Sequence, residues 1–529
     1  MPATEPAEMA DVPVIPNAQA GLAYLASLEL SQPAQACDDL RLLLESLCRN
    51  PPAAPELFAI LEQARSAVSF LTSELGRYYR DRPLPLAPFE AQMFLRIVGL
   101  QDMMARGYAL CAQLVDPNPE DPALPMVLAT LVQRCIAYFA EVFYEHFRAH
   151  QSIPAGLWQE VNGYYASAES LGIARLAIQD ETQTASCLTT YLTLLLVDIA
   201  NPYSLGARRV GQTIQLARKW AGLCQITAPG KVPRQGYALD LSADHGVMRL
   251  PEEAGQVWQE HERLVDTSPL EQQLRHHYAL LRQGGSAAAL GLPEETPHQL
   301  GRLLKRLLHP WRLTGLPRRY RRHMASTTVQ VAVGFENMYA AISGQPFVDP
   351  ETALVTRRDF DALFTFRDRV DTEVKAPPKA TSRVGLAWPV VDHSVSGYCL
   401  QCPGGSAERV AFGQLLALHL HDGEHFMLAT VAWIQQSEQR VTLGVEMLPG
   451  KPEAVTLRTL EGPTLPSSPA FLLPPIPAIA QDASLIAQSG TYQGGRPREI
   501  FVDGRWQAIR LEHIVQHGFD FDRISYETL

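Results

Sequence analysis

The sequence predicts a multidomain α + β protein, with an all-α N-terminal bundle or solenoid followed by a small antiparallel β-barrel that carries a helical insertion. Two observations carry this. Apolar residues recur at i, i+3, i+4 and i+7 through most of the first half, and after about residue 313 the pattern changes to period two with turn residues between short runs. At 529 residues the chain is also too long for a single core.

Residues 1–16, acidic and proline-rich, read as a disordered leader without a basic n-region or an apolar h-region. From 17 to 222 the chain reads as helical. "DDLRLLLESLCRN", "ELFAILEQARSAVSFLTSELGRYYRD", "FEAQMFLRIVGLQDMMARGYALCAQLV" and "MVLATLVQRCIAYFAEVFYEHFRAH" are each amphipathic, and prolines at 51–52, in "DRPLPLAP" and in "DPNPEDPALP" separate them. Two further helices fall near 177–200 and 205–222, and no fixed repeat period is present. Residues 223–314 continue this region, with a small strand pair in "CQITAPGKVPRQGYALDLSADHGVMRLP" and helices at "SPLEQQLRHHYALLRQG" and "TPHQLGRLLKRLLHPW". The barrel spans 315–450. "TTVQVAVGF", "LAWPVVDHSV", "GYCLQC" and the meander "GQLLALHLHDGEHFMLATVAWIQ…RVTLGVEML" supply strands, and Asp422–Gly423 a tight turn. Eight prolines between 449 and 477 mark 451–482 as a connector, and 483–529 as a β-rich appendage with a hairpin at Asp503–Gly504.

Composition bounds the function. Hydrophobic residues at 46% and charged residues at 19% describe a folded chain. Asp+Glu 56 against Lys+Arg 45, a net charge of −11, makes the surface as a whole repel nucleic acid and anionic membranes, so a basic site must be local. The run "TTYLTLLLVDIANP" is interrupted by Asp198 and too short to span a bilayer, which predicts no membrane insertion. Eight scattered cysteines suit reduced thiols in a cytoplasm. Cys399 and Cys402 have CxxC spacing but no second pair, so they read as strand residues and no metal is expected. His419, His421 and His425 flank a hairpin turn, where surface histidines are the rule. No Walker A, GxGxxG, GxSxG or HExxH pattern occurs, so no catalysis is expected.

Two features can carry binding chemistry. Arg318, Arg319, Arg321 and Arg322 crowd into five positions just before a strand. Guanidinium forks suit phosphate oxygens and the O6/N7 edge of guanine, although basic runs are also common on solvated faces. Then Asp392-x-Ser394-x-x-Gly397 lies between two apolar β-runs. Residues two apart on a strand share a face, so Asp392 and Ser394 can meet one hydrogen-bonding edge while Gly397 permits close approach. The same pattern is a frequent turn sequence.

In this order, RRxxR (Arg318, Arg319, Arg322), a strand, DxSxxG, and a strand pair bearing Trp433 and Gly444–Val445 resemble the PilZ domain, the small β-barrel by which bacteria sense cyclic di-GMP. The resemblance covers roughly residues 315–450. It implies that Arg318 and Arg322 hold the phosphates and guanines of cyclic di-GMP with Arg319 in support, and that Asp392 and Ser394 meet a guanine edge with Gly397 shaping the turn. Arg321, Trp433 and Arg440 are secondary candidates. The two motifs stand farther apart than the family's usual few tens of residues, so 335–382 reads as an insertion. A second arginine group, Arg357, Arg358, Arg367 and Arg369, lies within it. The helical region is then expected to serve a protein partner or homo-oligomerisation. Two rivals remain: nucleic-acid binding through 302–323, with Trp311 and Tyr320 to stack, and a ligand-free adaptor.

Overall fold

The computed structural model describes residues 15–180, 183–228, 236–250, 258–312, 322–349, 385–403, 408–420, 423–438, 440–460 and 467–529. The chain divides into two compact units, Met1–Arg82 with Leu86–Pro317, and Pro83–Pro85 with Arg318–Leu529.

The first unit is built from α1 (Ala18–Ala26), α2 (Pro33–Arg49), α3 (Ala54–Gly76), α4 (Pro88–Leu114), α5 (Leu124–Arg148) and α6 (Leu157–Ser170). A hairpin of β1 (Ile178–Asp180) and β2 (Gln183–Ala185) follows, then α7 (Cys187–Ile199) and α8 (Ala207–Trp220). Proline occupies the first turn of α2, α3, α4 and α5, where its missing N–H costs nothing. Ser186 and Thr189 bond reciprocally at the start of α7, and the Glu90 carboxylate accepts the Ala87 N–H before α4.

α5 is the core helix. Phe139, Phe143 and Phe147 are fully buried, and α4, α6, α7 and α8 pack around it. It is the one helix among the described residues long and apolar enough to cross a membrane, and the bundle covers most of that stretch. The buried carboxylate and guanidinium groups of α5, Glu145 and Arg134, are paired. Glu145, with no exposed surface, takes Arg80 at 2.7 Å, the Tyr79 hydroxyl at 2.7 Å and Arg148 at 2.5 Å.

Where a strand pair was expected, the structure has a four-stranded antiparallel sheet in the order β3 (Gln225–Thr227), β6 (Glu262–Asp266), β4 (Tyr237–Asp240), β5 (Met248–Arg249). The strand "ERLVD" is short and charged, with only Val265 fully buried, so its sequence signal is weak. Likewise the helix expected from 177 starts at Cys187, because Ile178–Asp180 pair with Gln183–Ala185. Most of the expected leader lies outside the described residues, though Ile15 is already buried. Then come α9 (Ser268–Arg282) and α10 (Pro297–Leu308). Trp311, just beyond α10, is fully buried and donates its indole N–H to the Leu196 carbonyl at 2.8 Å. It is therefore not a stacking platform for nucleic acid, and Tyr320 lies outside the described residues.

The second unit contains two six-stranded antiparallel barrels. The first closes through β8 (Thr328–Val333), β9 (Leu386–Ser394), β10 (Gly397–Cys402), β13 (Arg440–Met447), β12 (Phe426–Ser437) and β11 (Leu415–His419), with a short β7 (His323–Met324) added to β9. The second closes as β14 (Glu453–Thr459), β15 (Ser468–Leu473), β16 (Ser484–Gln488), β19 (Phe521–Thr528), β18 (Arg505–His517), β17 (Pro497–Val502). The 451–482 segment is thus not a connector, since it supplies β14 and β15. Its prolines mostly flank these strands, and only Pro469 lies within one.

Between the barrels sits α11 (Phe335–Ser343), the described part of the expected helical insertion. Phe335 and Met338 share one core with Leu415, Ala417 and Leu428 of the first barrel and Phe471, Ile486 and Phe521 of the second. β11 is therefore buried on both faces, Leu416 and Leu418 on one and Leu415 and Ala417 on the other, which explains its unbroken apolar sequence.

Candidate ligand-binding site

β9 and β10 form a hairpin with a two-residue tip, Val395–Ser396. Ser394 pairs with Gly397, and Asp392 pairs with Cys399. Strand alternation puts Asp392 and Ser394 on the same face, and a cross-strand row shows which one. Met324 opposes Asp392, Asp392 opposes Cys399, Cys399 opposes Gly444 and Gly444 opposes Trp433. Leu400, Leu443 and Val445, one position out of phase, fill the barrel interior. The row therefore runs over the outer wall.

Arg322 reaches this wall. Its Nη1 donates to Asp392 Oδ1 at 2.8 Å and Oδ2 at 3.1 Å. The pairing of His323 with His393 and Met324 with Asp392 fixes that approach, because it brings the end of the arginine run alongside β9. The two motifs, 70 residues apart in sequence, are joined at this ion pair. Arg318, Arg319 and Arg321, and the second group Arg357, Arg358, Arg367 and Arg369, lie outside the described residues.

Both glycines of the wall lie under a close neighbour, backbone at Gly397 and a side chain at Gly444. A Cβ on Gly397 would stand 2.2 Å from the Val445 carbonyl oxygen, and one on Gly444 would stand 1.9 Å from the Trp433 indole nitrogen. Ser394 Oγ donates weakly to the Gly397 carbonyl at 3.4 Å, so the hydroxyl is only lightly held. The Trp433 indole covers Gly444, three strands from Asp392, or roughly 14 Å at about 4.8 Å per strand. Arg440 is not brought to the site. It stands at the end of β13 that faces Cys402, whereas Gly397 faces Glu446 at the other end.

Two groups escape a reading focused on Asp, Ser and Gly. His323, His393 and Tyr398 form a line of rings one cross-strand row along from Asp392 and so on the opposite face of the ribbon, with His393 and Tyr398 stacked at 5.9 Å and 18°, and His323 at 5.9 Å from His393. The signal was present, since His393 and Tyr398 flank the hairpin tip symmetrically. Cys399 lies on the outer wall next to Asp392. Burial, then the Asp392 charge, pushes its thiol up against the pull of Arg322. Cys402, three positions on, faces the other way, so the CxxC pair cannot chelate one ion. All eight cysteines are free thiols.

A closed six-stranded barrel with Arg322 joined to the DxSxxG hairpin on its outer wall is the arrangement that the PilZ resemblance implies. The chain belongs with the PilZ-domain proteins, as an atypical member with a large helical N-terminal region. Three family models match it in order: "Cyclic-di-GMP receptor FimW, N-terminal domain" over 19–231, "Cyclic-di-GMP receptor FimW, middle PilZ domain" over 361–453, and "FimW C-terminal beta-barrel domain" over 454–529. Arg322, β7 and β8 fall between the first two matches. The curated protein "Cyclic-di-GMP receptor FimW" from Pseudomonas aeruginosa is 24% identical over 521 residues, which covers 89% of this chain and 83% of that protein.

Proposed function

We propose that this chain is a cyclic di-GMP receptor that takes the dinucleotide on the outer wall of its first barrel and signals through its helical unit to a protein partner. The observation that carries the reading is the Arg322–Asp392 pair, which brings the end of the arginine run onto the face shared by Asp392 and Ser394. The relative's own name supports the choice of ligand.

In this reading Arg322, with Arg318 and Arg319 preceding it, meets the phosphates, and Asp392 and Ser394 meet a guanine edge. Each desolvated guanidinium–phosphate contact contributes roughly 1.5–3 kcal/mol, so a few of them with base stacking support micromolar binding, about −8 kcal/mol. In sequence the arginines fall at the boundary between the residue ranges of the two units. A ligand that ties them to the β9–β10 hairpin restricts the conformations open to that segment and shifts a population. The role is that of a non-catalytic cytoplasmic receptor, consistent with eight unbridged cysteines.

Calorimetric titration with cyclic di-GMP, GTP and cyclic di-AMP tests the reading. We expect saturable binding of cyclic di-GMP alone, abolished by Arg318→Ala with Arg322→Ala. Equal binding of all three nucleotides, or of a short RNA in their place, would overturn it. Scattering that is unchanged at saturating ligand would refute the switch while leaving the binding site intact.

A further inference from the structure

The helical unit contains a cleft of about 890 Å³, within the roughly 300–1,000 Å³ of small-ligand pockets. α5 forms its floor, α3 one wall, and the first turn of α7 with the last turn of α8 the other. Four cationic side chains, Arg65, Arg134, Arg218 and Lys219, line it against one carboxylate, Glu141. Glu62 pairs with Arg65 and Arg134 without lining the cleft, so cations still outnumber carboxylates four to two. Arg218 takes Glu141 at 2.7 Å, whereas Lys219 donates to the Ala289 carbonyl and pairs with no carboxylate among the described residues. With three of the four paired, the cleft keeps an excess of two positive charges in a chain of net charge −11, which favours an added anion.

The polar groups between these charges are built in. Arg134 is 4% exposed and holds the Gln133 amide oxygen at 2.7 Å, while the Gln133 amide nitrogen donates to Thr190 Oγ1 at 3.0 Å. The first turn of α7, capped by Ser186, adds the positive end of the helix dipole beside Thr189 and Thr190. Gln101, 3% exposed, spends its amide nitrogen on Thr72 Oγ1 at 2.8 Å. Its Oε1 is buried at the cleft and has no hydrogen-bond partner among the described residues. A buried acceptor in this position calls for a donor from the occupant.

We propose that this cleft is a second ligand site, for a small anion bearing phosphate or carboxylate groups together with a hydroxyl or amine donor. The anion meets Arg134, Arg218 and Lys219, and the donor meets Gln101 Oε1.

The test is calorimetry on the full chain with glucose 6-phosphate and citrate as probes, and with sulfate (anion without a donor) and glucose (donor without an anion) as controls. We expect at least one probe to saturate a single site at least tenfold tighter than either control. Arg218→Ala and Lys219→Ala should each weaken it tenfold or more, Gln101→Leu several-fold, and Arg322→Ala not at all. Lys219 is exposed, so Lys219→Ala keeps the test valid should Gln101→Leu fail to fold. Absence of saturable binding by both probes, or binding that Lys219→Ala leaves unchanged, overturns the proposal.

Discussion

Arg322 and Asp392 meet through one guanidinium nitrogen placed between both carboxylate oxygens, at 2.8 and 3.1 Å, on the outer wall of the first barrel. The arginine side chain is 37% exposed and the aspartate 19%, so the pair contributes roughly 0–1 kcal/mol to stability. Its value lies in position. Asp392→Ala should lower the unfolding free energy by about 1 kcal/mol or less and weaken cyclic di-GMP binding at least tenfold. Denaturant titration and calorimetry on the same preparation check both halves. A large stability loss would mark the pair as structural.

The two wall glycines should respond differently to alanine. At Gly397 the obstacle is the Val445 backbone, which cannot step aside, so Gly397→Ala should cost about 1–3 kcal/mol and displace the hairpin tip. At Gly444 the obstacle is the Trp433 side chain, which is half-buried and can swing outward. Gly444→Ala should cost less and red-shift the tryptophan emission, a change absent from the Trp433→Phe background.

Met338 on α11 has no exposed surface and touches the core shared by both barrels. Met338→Ala should cost about 2–5 kcal/mol. Because the cavity opens against both barrels, calorimetry should show them melting together at a lower temperature. A lone early transition from one barrel would contradict a shared core.

Burial pushes His146 and His150 in the helical unit down to about 4. Unfolded histidine takes its proton near pH 6.5, so between about 6.5 and 4 the unfolded chain binds protons that the native state refuses. Stability from these groups is complete above pH 6.5 and is lost as pH falls toward 4. The His146 ring packs edge-on to Phe94 at 5.0 Å. His146→Phe should therefore raise the melting temperature most at pH 5 and flatten the acid limb. An equal gain at pH 5 and pH 8 would rule out protonation as the cause.

The helical half was legible because period-3.6 patterns and prolines in first turns act within one element, and α2 to α5 follow them closely. The alternation of "VVDHSVSGY" likewise sufficed to put Asp392 and Ser394 on one face. What could not be read was anything set by pairing across distance. The second barrel was hidden because its strands "EAVTLRT" and "SPAFLL" are bracketed by prolines, and a count of prolines outweighed the short alternations between them. Trp311 looked available because its neighbours are basic, yet its ring is enclosed by the bundle. Arg440 looked close because it shares a meander with Trp433, and only the register shows it at the far end.

The nine-residue helix α11 has a wider implication. The two family matches part company between residues 453 and 454, but the apolar seam beneath α11 crosses that line. An excised C-terminal piece beginning there would bare the phenylalanines that the helix normally hides, and would be expected to clump. Inheritance faces the same constraint: loops on either barrel can drift freely, but neither barrel can be exchanged without refitting the small helix that keys them together.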